Sequence, residues 1–388
     1  MTNGHTLVIP TYNRPALLKR LVQYYHKRAW PMKLLVLDSS RAEVAEENAK
    51  ALSLFGESVR HVVFPGTTPV AAKLSQGLAL VQTPYASFCG DDDLVFPEGL
   101  QRAIAFLQDH TDYVCAHGLY LNFRQEGHDV HLTSEYGGSG NEATHPGARI
   151  FRLLQKYESL FYATFRTSDL REIFLVVPVL HTYAFQELFQ SVATLIEGKV
   201  RRFPKLYAAR QSCPPSEPQR EKWQTYYWFA DNPAEVLDEY RAYCGELWKF
   251  YEAHGTAPRL DKKAFFKTLD LAHTVYFSAG CPPEYFHSVL QQHWPEDPYH
   301  KIANVNLFDQ LRSPVSRDGP DIVRMLAVMR HVLRAVWSAP SLARLNHNVK
   351  KTCRTPWKCR LHIPLWWLAT VPDFRSSFLE LCHYLDQS

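Results

Sequence analysis

Three consecutive carboxylates, Asp91-Asp92-Asp93, form the group in this sequence best suited to do chemistry. Held side by side they repel one another, so a fold that keeps them together needs a compensating positive charge. A hard divalent cation such as Mn²⁺ or Mg²⁺ supplies it, because such ions prefer oxygen ligands and let a diphosphate complete their shell. The triplet follows Ser87-Phe88-Cys89-Gly90, which reads as the end of a buried strand. Open α/β sheets bind their ligands at that edge. The competing reading is a solvated turn, or a cap for the helix opening at Pro97, since Asp is common in both roles.

The elements around the triplet read as β-α-β units. Short aliphatic runs at Thr6–Pro10, Lys33–Asp38, Arg60–Phe64 and Tyr85–Cys89 predict buried strands. Helical patterns over Arg14–His26, Arg41–Phe55 and Pro69–Val81 separate them, which predicts a mostly parallel sheet with helices on both faces. A helix over Glu98–Asp109, a strand over Tyr113–His117 and a surface loop over Ser134–Gly147 follow. Next come a helix over Ala148–Tyr157, a strand near Leu160–Arg166 and a helix over Phe185–Glu197. The proline-dense run Ser212–Gln219 marks a boundary, so residues 1–211 read as one α/β domain and 220–388 as an α-helical one. The expected helices of the second part are Trp223–Phe229, Pro233–His254, Lys262–Phe277, Pro283–His293 and Pro320–Trp337.

Composition narrows the class. With 388 residues, 46% hydrophobic and 21% charged, the chain can bury a large core and is neither disordered nor fibrous. A net charge of +4 is too small for a dedicated nucleic-acid binder, so no nucleic-acid partner is expected. The eight cysteines contain no Cys-x-x-Cys pair, and the start Met1–Leu7 is no secretory signal, which points to reduced thiols in a cytoplasm. The longest apolar stretch, Ile173–Leu180, is too short to span a bilayer.

The motif order resembles the family 2 glycosyltransferases, which have a Rossmann-like GT-A fold. Val8-Ile9-Pro10-Thr11-Tyr12-Asn13-Arg14 resembles the family's first strand and nucleotide-contact loop. Val36-Leu37-Asp38-Ser39-Ser40 resembles its base-binding acidic position, and Tyr85 to Pro97 its metal-binding DXD-type motif. The resemblance implies that Pro10, Thr11, Tyr12 and Arg14 contact the nucleotide, with Asp38 accepting from a uracil or guanine N–H. Lys73 would reach the base or a phosphate, although a solvated lysine is an equal reading. Counting back from Pro97, Asp92 becomes the direct metal ligand, Asp91 lies nearer the ribose, and Asp93 is a second ligand or an orienting neighbour. Many members carry Asp where this chain has Gly90.

Inverting sugar transfer also needs a base for the acceptor hydroxyl. The family places a carboxylate at the start of a helix before a basic strand, and Phe185-Gln186-Glu187-Leu188 has that layout, with Leu where the second acid is usual. Glu187 is therefore the candidate base, Asp169 and Glu172 are the alternatives, and His181 reads as a loop histidine that would otherwise orient a phosphate. Arg210, at the end of a later strand, would clamp the diphosphate or close a salt bridge at the sheet edge. The basic run Arg344–Arg360 before Leu365-Trp366-Trp367-Leu368 reads as a basic loop and a core helix, with peripheral contact at the inner membrane surface as the alternative.

The expected activity is metal-dependent transfer from a UDP- or GDP-linked sugar to a glycan, lipid-linked or protein acceptor, with surface polysaccharide assembly as the setting. The helical part would bind the acceptor or form a homo-oligomer. Two other readings compete: a sugar-phosphate nucleotidyltransferase, disfavoured by the lack of glycine in Pro10–Arg14, and a non-catalytic nucleotide-sugar-binding module.

Overall fold

The computed structural model of the chain describes residues 4–28, 32–126, 129–134, 140–212, 233–279, 358–362 and 374–386. At its centre β1 (His5–Thr11) pairs in parallel with β2 (Lys33–Asp38) on one side and β4 (Tyr85–Phe88) on the other. Almost every side chain of these strands is buried, as parallel strands covered on both faces require. β3 (Val59–Val63) closes the sheet beyond β2. The crossover helices α1 (Pro15–Lys27), α2 (Ala42–Ser53) and α3 (Val70–Ala79) follow the expected pattern. Because the three central strands are parallel, the loops leaving β1, β2 and β4 emerge at one edge. That single fact of topology brings Thr11–Arg14, Asp38–Ser40 and Asp91–Asp93 together.

The other half of the sheet is mixed. β6 (Tyr113–Glu126) pairs antiparallel with β8 (Thr164–Arg166) near its start and with β7 (Asp129–Ser134) near its end. Along its other side it runs parallel to β9 (Lys199–Gln211), which also receives the short β5 (Leu94–Val95). The strand expected to stop at His117 therefore continues to Glu126, because partners on both sides satisfy its backbone. The remaining helices of this region are α4 (Pro97–Asp109), α5 (Pro146–Gln155), α6 (Thr167–Val176) and α7 (Tyr183–Glu197). α6 has no counterpart in the sequence reading; its period runs into the apolar stretch Ile173–Leu180.

The described helices after residue 232 build no core of their own. Tyr243, Leu247, Phe265 and Leu269, from the helices Pro233–His254 and Lys262–Ala279, join one apolar cluster with Leu37, Phe88, Phe165 and Leu188. The strand β10 (Lys358–His362) adds to the sheet in parallel beside β7. The C-terminal helix Phe374–Leu385 places Phe378, Leu381 and Tyr384 in the second cluster, with Leu7, Leu21, Leu100 and Phe123. In packing, the chain after residue 219 is thus continuous with the sheet wherever it is described. The expected helices Trp223–Phe229, Pro283–His293 and Pro320–Trp337, and the run Leu365–Leu368, lie outside the described residues. No described helix is long and apolar enough to cross a membrane. Cys89, Cys115, Cys244 and Cys382 are buried free thiols.

Shared packing has a measurable consequence. Leu381 is fully buried in the core that holds β1 and α1, so Leu381→Ala should cost about 2–5 kcal/mol. The loss should appear in one cooperative transition that includes the N-terminal sheet. Two separable transitions, with only the minor one shifted, would contradict the shared core.

Candidate active site

β1 ends in a turn in which Asn13 takes a left-handed backbone, φ 55°, a conformation that Asn tolerates better than most residues. The Asn13 amide donates to Ser40 Oγ at 2.8 Å, and Asn13 Oδ1 accepts from the Arg41 amide at 3.0 Å. These bonds lace the loop after β1 to the loop after β2, and the turn sends the next side chain toward the triplet. Arg14 Nη1 lies 2.8 Å from Asp92 Oδ2 and 3.3 Å from Asp91 Oδ1. Thr11 Oγ1 donates to Asp91 Oδ2 at 2.7 Å. Burial, and then the neighbouring Asp92 charge, push the Asp91 carboxyl up to about 6 against the Thr11 and Arg14 hydrogen bonds.

A guanidinium thus already stands where two carboxylates converge, a position that suits a cation. Asp92 is the most accessible of the three, at 16% side-chain exposure, and Arg14 beside it is 47% exposed. Among the described residues no set of three His, Cys, Asp or Glu side chains is placed to hold a metal by itself. The donor set therefore fits an ion that uses Asp92, with Asp91 beside it, and takes the rest of its shell from a diphosphate.

Asp93 is as buried as Asp91, at 4% exposure, but turns toward a different set of partners. Asp93 Oδ1 accepts from the Gln211 amide at 2.8 Å, and Oδ2 accepts from Tyr162 Oη at 2.5 Å. Its backbone carbonyl accepts from Tyr384 Oη at 3.0 Å. Arg20 completes the cluster, donating through Nη2 to Gln211 Oε1 at 2.8 Å and to Tyr384 Oη at 3.0 Å. Both Asp93 oxygens have protein partners, which hold the carboxylate in one orientation. Burial and the Asp92 charge push its carboxyl up to about 7. The same geometry explains Gly90: a Cβ there would sit 2.6 Å from Asp93 Oδ2 and 3.0 Å from Asp92 Oδ1.

Asp38 and Lys73 also face the protein. Asp38 has no exposed surface, and its oxygens accept from the Ser40 amide at 2.8 Å, Asn48 Nδ2 at 2.8 Å and His61 Nε2 at 3.0 Å. Burial alone would raise its pKa, but the hydrogen bonds from His61, Ser40 and Asn48 prevail and hold it well below the usual carboxylate range. Lys73 is 3% exposed and donates to the Thr11 carbonyl at 2.9 Å and Ser39 Oγ at 2.8 Å. The solvated-lysine reading is therefore overturned. Burial lowers its pKa, while the charges of Asp38 and Asp91 oppose that shift. Tyr12, by contrast, is 54% exposed at the mouth, and Pro10 lies in β1 in register with Leu37.

The candidate bases separate by their place in the fold. α7 ends at Glu197, just before Lys199 pairs with Tyr113 at the start of β6. Glu187 lies ten residues earlier, about 15 Å along the helix toward the edge where β4 ends. Glu187 Oε1 accepts from Tyr157 Oη at 2.9 Å, and the segment from Tyr157 leads to Tyr162, the partner of Asp93. Asp169 and Glu172 lie on α6, which opens after Arg166, the register partner of Tyr85 at the start of β4. That is the sheet edge opposite the triplet. Both residues lie near Glu197, whose carboxyl is pushed up to about 9 by burial and then by the charges of Asp169 and Glu172. His181 is exposed in the turn before α7. Arg210 stacks over the Tyr162 ring at 5.3 Å, and its charge acts on Asp93.

Several residues that shape this site escape a reading by motif. Asn13 carried a local signal, an Asn between a strand and a helix. Tyr162, Gln211 and Tyr384 carried none, because they act through pairings 69, 118 and 291 residues away in sequence.

Residues 6–174 match the model of glycosyl transferase family 2. No curated protein sequence matches the chain. Among solved structures, the chain is similar to S. aureus TarS 1–349 in complex with UDP-GlcNAc, at 13% identity over 79% of this chain and 90% of that one, TM-score 0.41. It is also similar to GalNAc-T7 with UDP, GalNAc and Mn²⁺, at 15% identity over 64% of this chain and 54% of that one, TM-score 0.43.

The raised carboxyls at 91 and 93 set a pH dependence. In the unfolded chain both ionise near the usual 3.8, whereas in the fold they hold protons to about 6 and 7. The stability they contribute is fully present below pH 3.8 and is lost as pH rises through those folded values. Without added metal, the melting temperature should therefore rise as pH is lowered from 8 to 5, and Asp93→Asn should flatten that slope. An unchanged slope in the variant would place the titration elsewhere.

Proposed function

We propose, for a chain whose residues 6–174 form a glycosyl transferase family 2 domain, that it moves a sugar from a nucleotide-diphosphate donor to an acceptor hydroxyl with inversion. The observation that carries this reading is the convergence of Thr11–Arg14, Asp38–Ser40 and the acidic triplet on one sheet edge, with Arg14 bridging Asp91 and Asp92. Tyr12 offers an exposed ring to the base of a UDP- or GDP-linked donor. Asp38 and Lys73 hold the two loops that frame the nucleotide, and Asp91 faces the ribose side. A bound Mn²⁺ or Mg²⁺ would neutralise charge developing on the leaving diphosphate. Asp92 would be its ligand, and Asp93 would fix the loop that presents Asp92. Arg210, held beside Tyr162, is the candidate clamp for the same diphosphate.

In the transfer step Glu187 takes the proton of the acceptor hydroxyl as its oxygen bonds to the anomeric carbon. The bond from that carbon to the diphosphate oxygen breaks, and the nucleoside diphosphate leaves with the electron pair. Glycan, lipid-linked or protein acceptors are compatible with this chemistry, as is a setting in cytoplasmic assembly of surface polysaccharide. The basic run 344–357 and the tryptophans that would carry peripheral membrane contact lie outside the described residues.

Calorimetry of UDP- and GDP-sugars with and without Mn²⁺ tests the donor site. Asp92→Ala should weaken Mn²⁺-dependent nucleotide affinity at least tenfold; unchanged affinity would refute the metal assignment. Glu187→Gln should spare donor binding and lower the transfer rate by about 10²–10⁴-fold. Near wild-type transfer in that variant would put the base elsewhere. Release of pyrophosphate in place of nucleoside diphosphate would favour a nucleotidyltransferase.

A further inference from the structure

A cavity of about 520 Å³ lies against β6 and β9, walled on one side by the last turn of α5. It is separate from the acidic triplet. His117 on its wall precedes Leu121 by four residues on β6, and Leu121 is level with Ala209, the register partner of Leu94 next to the triplet. At about 3.3 Å per strand residue the cavity lies roughly 13 Å away along the strand.

Its polar lining is incompletely satisfied. His117 Nδ1, Asn141 Oδ1 and Arg202 Nε are buried atoms without a hydrogen-bond partner in the chain, and His117 and Arg202 are only 2% and 7% exposed. Folded proteins leave few such atoms, yet three side chains around one cavity each have one. They are held there by the fold. Asn141 pairs with Val200 through the backbone, and its Nδ2 donates to the Arg149 carbonyl at 2.7 Å. Gly140 allows that approach, since a Cβ there would lie 2.9 Å from the Val200 carbonyl oxygen and 3.0 Å from the Arg202 amide. Arg202 forms an ion pair with Glu158 through Nη1, while its Nε meets no charged or polar partner in the chain. The wall therefore offers both donors and acceptors over the apolar floor of Leu153 and Leu160. At the rim, Arg152 and Lys156 are exposed, and the one lining carboxylate, Glu158, is already matched by Arg202.

We propose that this cavity is a second carbohydrate subsite, distinct from the donor site, that takes a sugar residue bearing a phosphate or a carboxylate. The sugar hydroxyls meet Asn141, His117 and Arg202, and the anionic group meets Arg152 and Lys156. The proposal does not depend on the transferase reading.

The full chain is titrated in a calorimeter, without nucleotide or divalent metal, with glucose 6-phosphate, glucuronate, glucose and inorganic phosphate. At least one acidic sugar should bind saturably, at least tenfold more tightly than glucose or phosphate, and the tighter of the two names the anion. The exposed double variant Arg152→Gln/Lys156→Gln should weaken that binding at least tenfold while keeping the wild-type melting temperature. Asp92→Ala should leave it unchanged. The subsite is overturned if neither acidic sugar saturates, or if the double variant binds as wild type. It is equally overturned if inorganic phosphate binds as tightly as the sugars, or if Asp92→Ala abolishes binding, which would move the event to the donor site. Loss of nucleotide binding with acidic-sugar binding intact would count against the donor reading alone.

Discussion

Holding Asp93 in one orientation beneath two adjacent carboxylates is the constraint on which the site depends. Asp93 goes inward, where the end of β9, the Tyr162 loop and the C-terminal helix each give it a hydrogen bond. Buried polar groups hold a unique arrangement only when all of them are satisfied, and here the satisfaction comes from segments far apart in the chain. Arg20, donating to both Gln211 and Tyr384, locks the cluster from α1. With Asp93 fixed, the turn from Gly90 can only present Asp91 and Asp92 at the sheet edge.

The electrostatics follow from that arrangement. Three negative charges near a low-dielectric core would be costly if each were left alone. Instead the fold distributes cations among them: Arg14 at the open face, Lys73 beneath the loops, and Arg210 behind Tyr162. The Arg14 contact is the most exposed of these and therefore the most exchangeable, because a half-exposed ion pair is worth about 0–1 kcal/mol.

Much of this frame was legible from local sequence. The alternating strands and helices and the exit of three motif loops at one edge follow from short-range patterns that the structure preserves. Other features were not. The length of β6 depends on three different partner strands, so its residues past His117 showed no independent signal. Proline density after Arg210 suggested a separate helical domain, yet Leu381 and Tyr384 pack into the core of the first sheet. Helical periodicity reports which face is apolar, and it does not report which surface covers that face.

The sequence by itself determined the chemistry on offer: carboxylates after a buried strand, an arginine after the first one, and a glutamate opening a later helix. These are local facts of residue type and spacing. Only the tertiary structure decided which carboxylate faces solvent and which is a buried strut, that Asp38 and Lys73 hold loops from beneath, and why residue 90 is glycine. Those outcomes rest on contacts between residues tens to hundreds of positions apart, and burial and hydrogen-bond partners of that kind leave no mark on the local pattern.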